Sequence, residues 1–206
     1  MKNLLFLVVL VLFAACSNPG ETTNNSAASA SNSAGKATVD LSAYTIEEVP
    51  GTNWQRVEKR DSEGNLLEIG YVENGVKVGS WVTYHPEKMF PQQLINYKDG
   101  KQTGLYMEFN EGGITKRIAN YQNNELHGPN AKYRFSRLEE LSEYKNGKLD
   151  GVFKSYRIQD GKLQSSAEYK NGVQDGYYRT YNADGRVTTE YLYKNGEQVS
   201  GNTAGQ

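Results

Sequence analysis

Few residues in this chain of 206 are equipped for nucleophilic, acid–base or metal chemistry: one cysteine, Cys16, and two histidines, His85 and His127. His85 lies in "YHPEK", and His127 precedes a glycine, at a place where later parts of the chain carry Asp150 and Asp175. Neither histidine has a cysteine or second histidine at the spacing a tetrahedral zinc site uses, so no metal site is expected. No serine stands in a nucleophile elbow, and neither the dinucleotide-binding glycine pattern nor a P-loop occurs. Asp150 and Asp175 recur at the same distance before a glycine, which reads as a pair of solvated turn residues rather than a catalytic dyad. The expectation is a protein without an enzyme active site and without a cofactor.

Cys16 has a different chemistry. Lys2 precedes an unbroken apolar run from Leu4 to Ala15, and the cysteine follows at once. A run of this length is shorter than the roughly 20 residues a membrane-spanning helix needs, and it suits a signal-peptide core ending in small residues. "LFAAC" resembles the bacterial lipobox, with Phe13 where leucine is usual, so residues 1–15 read as a signal peptide and Cys16 as a lipid attachment site. An unpaired thiol is a liability in an oxidising compartment; an acylated one is not. Ser17 follows the cysteine where an aspartate would retain the protein at an inner membrane, so that resemblance favours an outer-membrane anchor in the cell envelope, with its side undetermined.

The charge balance names no partner. Lys and Arg total 23 against 24 Asp and Glu, too even to condense on nucleic acid, and the membrane is expected to be met through lipid alone. After Cys16 comes a stretch rich in Ser, Ala, Asn and Gly with no aromatic residue. It cannot bury enough apolar surface to offset its ordering entropy, so residues 16–45 read as a flexible linker.

From residue 71 onward the chain repeats itself. Tyrosines at 71, 97, 121, 144, 169 and 193 each shortly precede an NG, DG or NN pair, then a glycine (Gly79, Gly104, Gly128, Gly151, Gly176), and five residues later an aromatic (Tyr84, Phe109, Tyr133, Tyr156, Tyr181). Asn-Gly and Asp-Gly favour type I′ turns, where both central residues need positive φ. The flanking Tyr, Val, Phe and Thr suit a pleated surface. Each unit of about 24 residues is therefore one β-hairpin plus a looser return turn, as in "NADG" and "NEGG". One stretch, "RFSRLEELSEY" (134–144), has helix-forming residues, but the register of the flanking repeats requires a strand.

The pattern YxNG, three residues, G, then aromatics two and five positions on resembles the bacterial variant of the MORN repeat, found in proteins grouped with the YwqK-like family, to which an antitoxin role is attached. The resemblance implies an all-β fold, a single-layer antiparallel sheet of about six stacked hairpins over residues 46–201, with 202–206 as a polar tail. It implies scaffolding or binding rather than catalysis. The chain departs from the pattern at Asn124, where the turn glycine is missing, and at Pro129 and Asn130, where an aromatic is lost. The third copy is therefore expected to be the weakest.

Alternation along a strand assigns faces. Trp81, Tyr106, Phe153 and Tyr178, two residues beyond the repeat glycines, fall on one face; Tyr84, Phe109, Tyr156 and Tyr181 fall on the other. These eight form the candidate binding ribbon, since Tyr and Trp are favoured interface anchors. The exposed edges are expected at "WQRVEKR", guarded by charge, and at "VTTEYLYK", screened by the tail. The preferred function is a lipid-anchored envelope protein whose sheet binds or scaffolds another envelope protein. The alternatives are a toxin-neutralising (antitoxin or immunity) protein and a glycan-binding surface.

Overall fold

The computed structural model describes residues 35–203. The signal peptide, Cys16 and most of the linker lie outside those residues, as do residues 204–206 of the tail. The described chain is one open antiparallel sheet of β1 (Thr45–Glu48), β2 (Trp54–Arg60), β3 (Leu66–Glu73), β4 (Val76–Tyr84), β5 (Pro91–Lys98), β6 (Lys101–Phe109), β7 (Thr115–Gln122), β8 (Glu125–Arg134), β9 (Arg137–Lys145), β10 (Lys148–Leu149), β11 (Gly151–Tyr156), β12 (Leu163–Lys170), β13 (Val173–Tyr181), β14 (Val187–Lys194) and β15 (Glu197–Thr203). The strands lie in chain order, with β10 and β11 forming one return arm interrupted at Asp150. Substantial contacts join only strands adjacent in the sheet. The expected single layer of stacked hairpins is what the chain forms.

The turns explain the repeat. Asn74–Gly75, Asp99–Gly100, Asn123–Asn124, Asn146–Gly147, Asn171–Gly172 and Asn195–Gly196 all have positive φ at both positions, as a type I′ turn demands. These turns are also bonded to one another. The amides of Gly100, Asn124, Gly147, Gly172 and Gly196 donate to the carbonyls of Lys77, Gln102, Leu126, Leu149 and Gln174 in the preceding hairpin. Asn124 compensates for the missing glycine, since its side-chain oxygen accepts from the Gln102 amide at 2.7 Å. Asp150 and Asp175 are more than solvated turn residues. Their carboxylates accept from the amides of Asn171 and Asn195 in the next turn.

The opposite turns are built differently. Asp61, Asn110 and Asn182 each accept two backbone N–H groups, two and four residues on, with one side-chain oxygen, the local bond that suits these residues to turns. The helix-prone stretch is strand on both sides of a two-residue turn, Phe135–Ser136, with positive φ.

Each repeat glycine marks an irregularity in the ladder. Val78 and Val82, four residues apart, face Tyr71 and Ile69, two apart, and the same offset recurs along the array. Because the excess is two residues, alternation keeps its parity beyond the bulge, which is why faces could be read from the sequence. Gly151 has φ +130°, and a Cβ there would lie 2.8 Å from that of Glu143.

Four expectations are corrected. The linker ends well before residue 45: Ala37–Tyr44 form a strap bound to the sheet. The Ala37 amide donates to Gly100 O, the Val39 amide to Gly75 O, and the Lys77 amide to Ala37 O, while Asp40 caps a 3₁₀ turn at Leu41–Ala43. The first edge is β1, which pairs with β2 and covers "WQRVEKR". The tail begins later than residue 202, because β15 runs to Thr203 and is itself the last edge. Tyr71 stands one residue out of register with the other repeat tyrosines, and Val72 holds that place.

Candidate functional site: the two faces of the sheet

One face carries a cross-strand row that begins Ile46, Val57, Gly70 and Trp81. It continues through Ile95, Tyr106, Ala119, Asn130 and Ser142, then Phe153, Ala167, Tyr178, Tyr191 and Gly201. Large rings alternate with small residues. A Cβ at Gly70 would overlap the Trp81 indole, and one at Gly201 would overlap the Tyr191 ring. Beside this row stand the repeat tyrosines from Tyr97 onward, each opposite a repeat glycine on the preceding strand, such as Tyr97 by Gly79 and Tyr121 by Gly104. Tyr106 meets Tyr121 edge-on with ring centres 5.7 Å apart, and Tyr178 stacks on Tyr191 at 6.2 Å. Pairs of this kind contribute about 0.5–1.5 kcal/mol beyond their burial.

The strap lies on this face, at its N-terminal end. Val39, Leu41, Tyr44 and Tyr97 pack against Val57, Val72 and Trp81. Trp81 is 2% exposed, its indole N–H donates to Tyr71 O at 2.8 Å, and the Lys77 ammonium lies 3.8 Å from its ring centre. The tryptophan named as a binding residue is thus a core residue with no surface left for a partner. Tyr44 donates its hydroxyl to Glu68, which also pairs with Lys77 at 3.0 Å. Burial, then the bond to Glu68 and the carboxylate's charge, push the Tyr44 phenol well above its usual range. Burial, then the charge of Glu108, does the same at Tyr106.

The other face carries a different row. Ile69, Val82, Leu94, Met107, Ile118, Ala131 and Leu141 stand opposite one another on seven consecutive strands, β3 to β9. Sequence reasoning named the aromatics beside this stripe and missed the stripe itself, because its members are single aliphatic residues spread over seven strands and adjacent only once the register is known. Each is partly exposed, shielded by side chains of its own sheet and by no second layer. From β11 the row turns polar, with Lys154, Ser166, Arg179 and Glu190. Arg179 pairs with Glu190 and lies 4.2 Å from the Tyr177 ring centre. Tyr84, Phe109, Tyr156 and Tyr181 belong to this face, where the Tyr181 hydroxyl bonds that of Ser166 at 3.1 Å.

The two histidines are drawn into turn structure. The His85 ring lies 3.2 Å from Phe109 O, and the His127 Nδ1 accepts from the Asn146 amide at 3.5 Å. Among the described residues, no three His, Cys, Asp or Glu side chains converge on one point. The surface depression beside Arg137, Tyr156 and Asp160 sits in a return turn whose Asp160 carboxylate already accepts from the Lys162 amide and pairs with Arg157. What the geometry offers is area: an aliphatic stripe on one face and an aromatic row on the other. No protein-family model and no curated protein matches the chain.

Proposed function

We propose that this protein is a non-enzymatic, lipid-anchored component of the bacterial cell envelope whose repeat sheet serves as a binding or scaffolding surface for another envelope protein. The supporting observation is the aliphatic stripe from Ile69 to Leu141, which lies on a sheet face that no other described element covers. Seven strands about 4.8 Å apart, and about 25–30 Å long, present roughly 800 Å². That area is the whole face, polar flanks such as Ser80, Asn96, Asn120 and Glu143 included; it matches one side of a standard protein interface, with the aliphatic stripe as its apolar centre. The lipobox-like segment at Cys16 supports the location, and the linker after it gives the sheet room to reach a partner.

Photo-crosslinking in cells tests the reading. A crosslinking residue placed at Met107, in the stripe, is expected to trap a discrete protein adduct that one at Ser62, on an exposed return turn, does not. Leu94→Glu should remove the adduct while leaving the β-sheet circular dichroism intact. Identical adduct patterns from both positions would sink the binding surface. A Cys16→Ser chain that still sediments with membranes would sink the lipid anchor.

A further inference from the structure

The strap is the chain's own demonstration of what the turn-side margin of the aromatic face can hold. Its peptide backbone donates to the carbonyls of two consecutive turn glycines, Gly75 and Gly100, and its apolar side chains fill a cluster made by Val57, Val72, Trp81 and Tyr97. Both contributions repeat along the array. Strands β11 to β15 stand to the turns at Gly172 and Gly196 as β2 to β6 stand to those at Gly75 and Gly100. In that correspondence Phe153 takes the place of Val57, Ala167 that of Gly70, Tyr169 that of Val72, Tyr178 that of Trp81 and Tyr193 that of Tyr97. Phe153, Tyr169, Tyr178 and Tyr193 are all partly exposed. No described residue donates to the carbonyls of Gly172 or Gly196. Of the three turn pairs between the strap's and this one, the first shares Gly100 with the strap, and the other two take in Asn130 and Ser142, which bond each other.

From this repetition we infer that the C-terminal hairpins hold a second peptide-binding seat, equivalent to the strap's and vacant of any described segment. Its ligand is an extended peptide of a partner protein, running against the direction of the array. Backbone N–H groups two residues apart reach the carbonyls of Gly172 and Gly196, and short aliphatic side chains lie against Tyr169 and Tyr178. Ligand choice differs from the strap in one respect. Glu68, which accepts from the Tyr44 hydroxyl, and its partner Lys77 are replaced by Ser165 and Gln174, so an apolar side chain is favoured where the strap places its hydroxyl-bearing tyrosine. This seat and the aliphatic stripe lie on opposite faces, and either can fail without the other.

The test uses a synthetic peptide of residues 36–48, KATVDLSAYTIEE, and a scrambled peptide of the same composition, titrated into the full chain held in detergent. The expected result is saturable movement of the Gly172 and Gly196 amide resonances and of the Tyr169 ring protons with the first peptide and not the second. Tyr169→Ala should weaken this binding at least tenfold. Silence at Gly172 and Gly196 with peptide at millimolar concentration would overturn the proposal. So would movement confined to Gly75 and Gly100, where the peptide merely exchanges with the strap, or equal response to the scrambled sequence.

Discussion

At the scale of single residues, the strap is closed by one phenol. The Tyr44 hydroxyl donates to Glu68, in a half-buried site where Lys77 already holds that carboxylate, and the Tyr44 ring meets Trp81 edge-on at 6.4 Å. Burial raises the phenol's pKa first, and the bond to Glu68 adds to it. A group whose pKa is raised on folding contributes stability that is fully present below its unfolded value, about 10 for tyrosine, and lost as pH rises through the folded value. With Trp54→Phe leaving Trp81 as the only tryptophan, its emission should not move to longer wavelength as pH passes about 10, the value of a free phenol, and should do so only above that. Tyr44→Phe should remove this late step. A shift already complete at about pH 10 would mean that the Tyr44–Glu68 bond is not formed in solution. Nothing in the sequence announced this contact, since Tyr44 and Glu68 are separated by β1, β2 and two turns, and no repeat copy duplicates the pair.

At the scale of the element, the hairpin was the most legible object. Asn-Gly and Asp-Gly pairs fix the turn by backbone sterics, a local cause that the residues carry with them. Two features escaped for the opposite reason. The strap follows a Ser- and Ala-rich stretch and has only Val39, Leu41 and Tyr44 to mark it, and their value depends on Val57, Val72 and Trp81 being in place. The aliphatic stripe depends on register across seven strands. The third copy shows a defect and its repair together. Where neighbours place a ring two residues beyond the glycine, Asn130 is 2% exposed, donating to the Ser142 hydroxyl at 2.9 Å and accepting from the Arg117 guanidinium at 2.7 Å. Asn130→Ala leaves the buried Ser142 hydroxyl with its bond to Asn130 O alone and strips Arg117 of an acceptor. That should cost about 1–3 kcal/mol in urea unfolding. Adding Ser142→Ala should cost less than it does in the native chain, because the Asn130–Ser142 side-chain bond it would break is already gone. Fully additive losses would mean that the pair is not coupled and that the third copy is held by something else.

At the scale of the whole molecule, the sheet has no centre, and its stability is a sum of hairpins and the interfaces between neighbours. Such an array opens from its ends, and its two ends are unequal. The first is closed by the strap, which completes the cluster of Val57, Val72 and Trp81 and bonds the first two turns. The last is β15, an edge with Val199 57% exposed and no element beyond it among the described residues. Local opening free energy should therefore fall along the chain, with hydrogen-exchange protection greatest in β2 to β6 and least in β14 and β15. A chain beginning at Thr45 lacks the strap and should lose this gradient, its protection becoming low at both ends and highest in the middle copies, while the sheet signal in circular dichroism persists. Because each hairpin contacts only its neighbours, the loss should be confined to β1 through β6. If strap removal instead lowered protection evenly from β2 to β15, the sheet would be one cooperative unit, and the reading of the copies as separable seats along a margin would have to be given up with it.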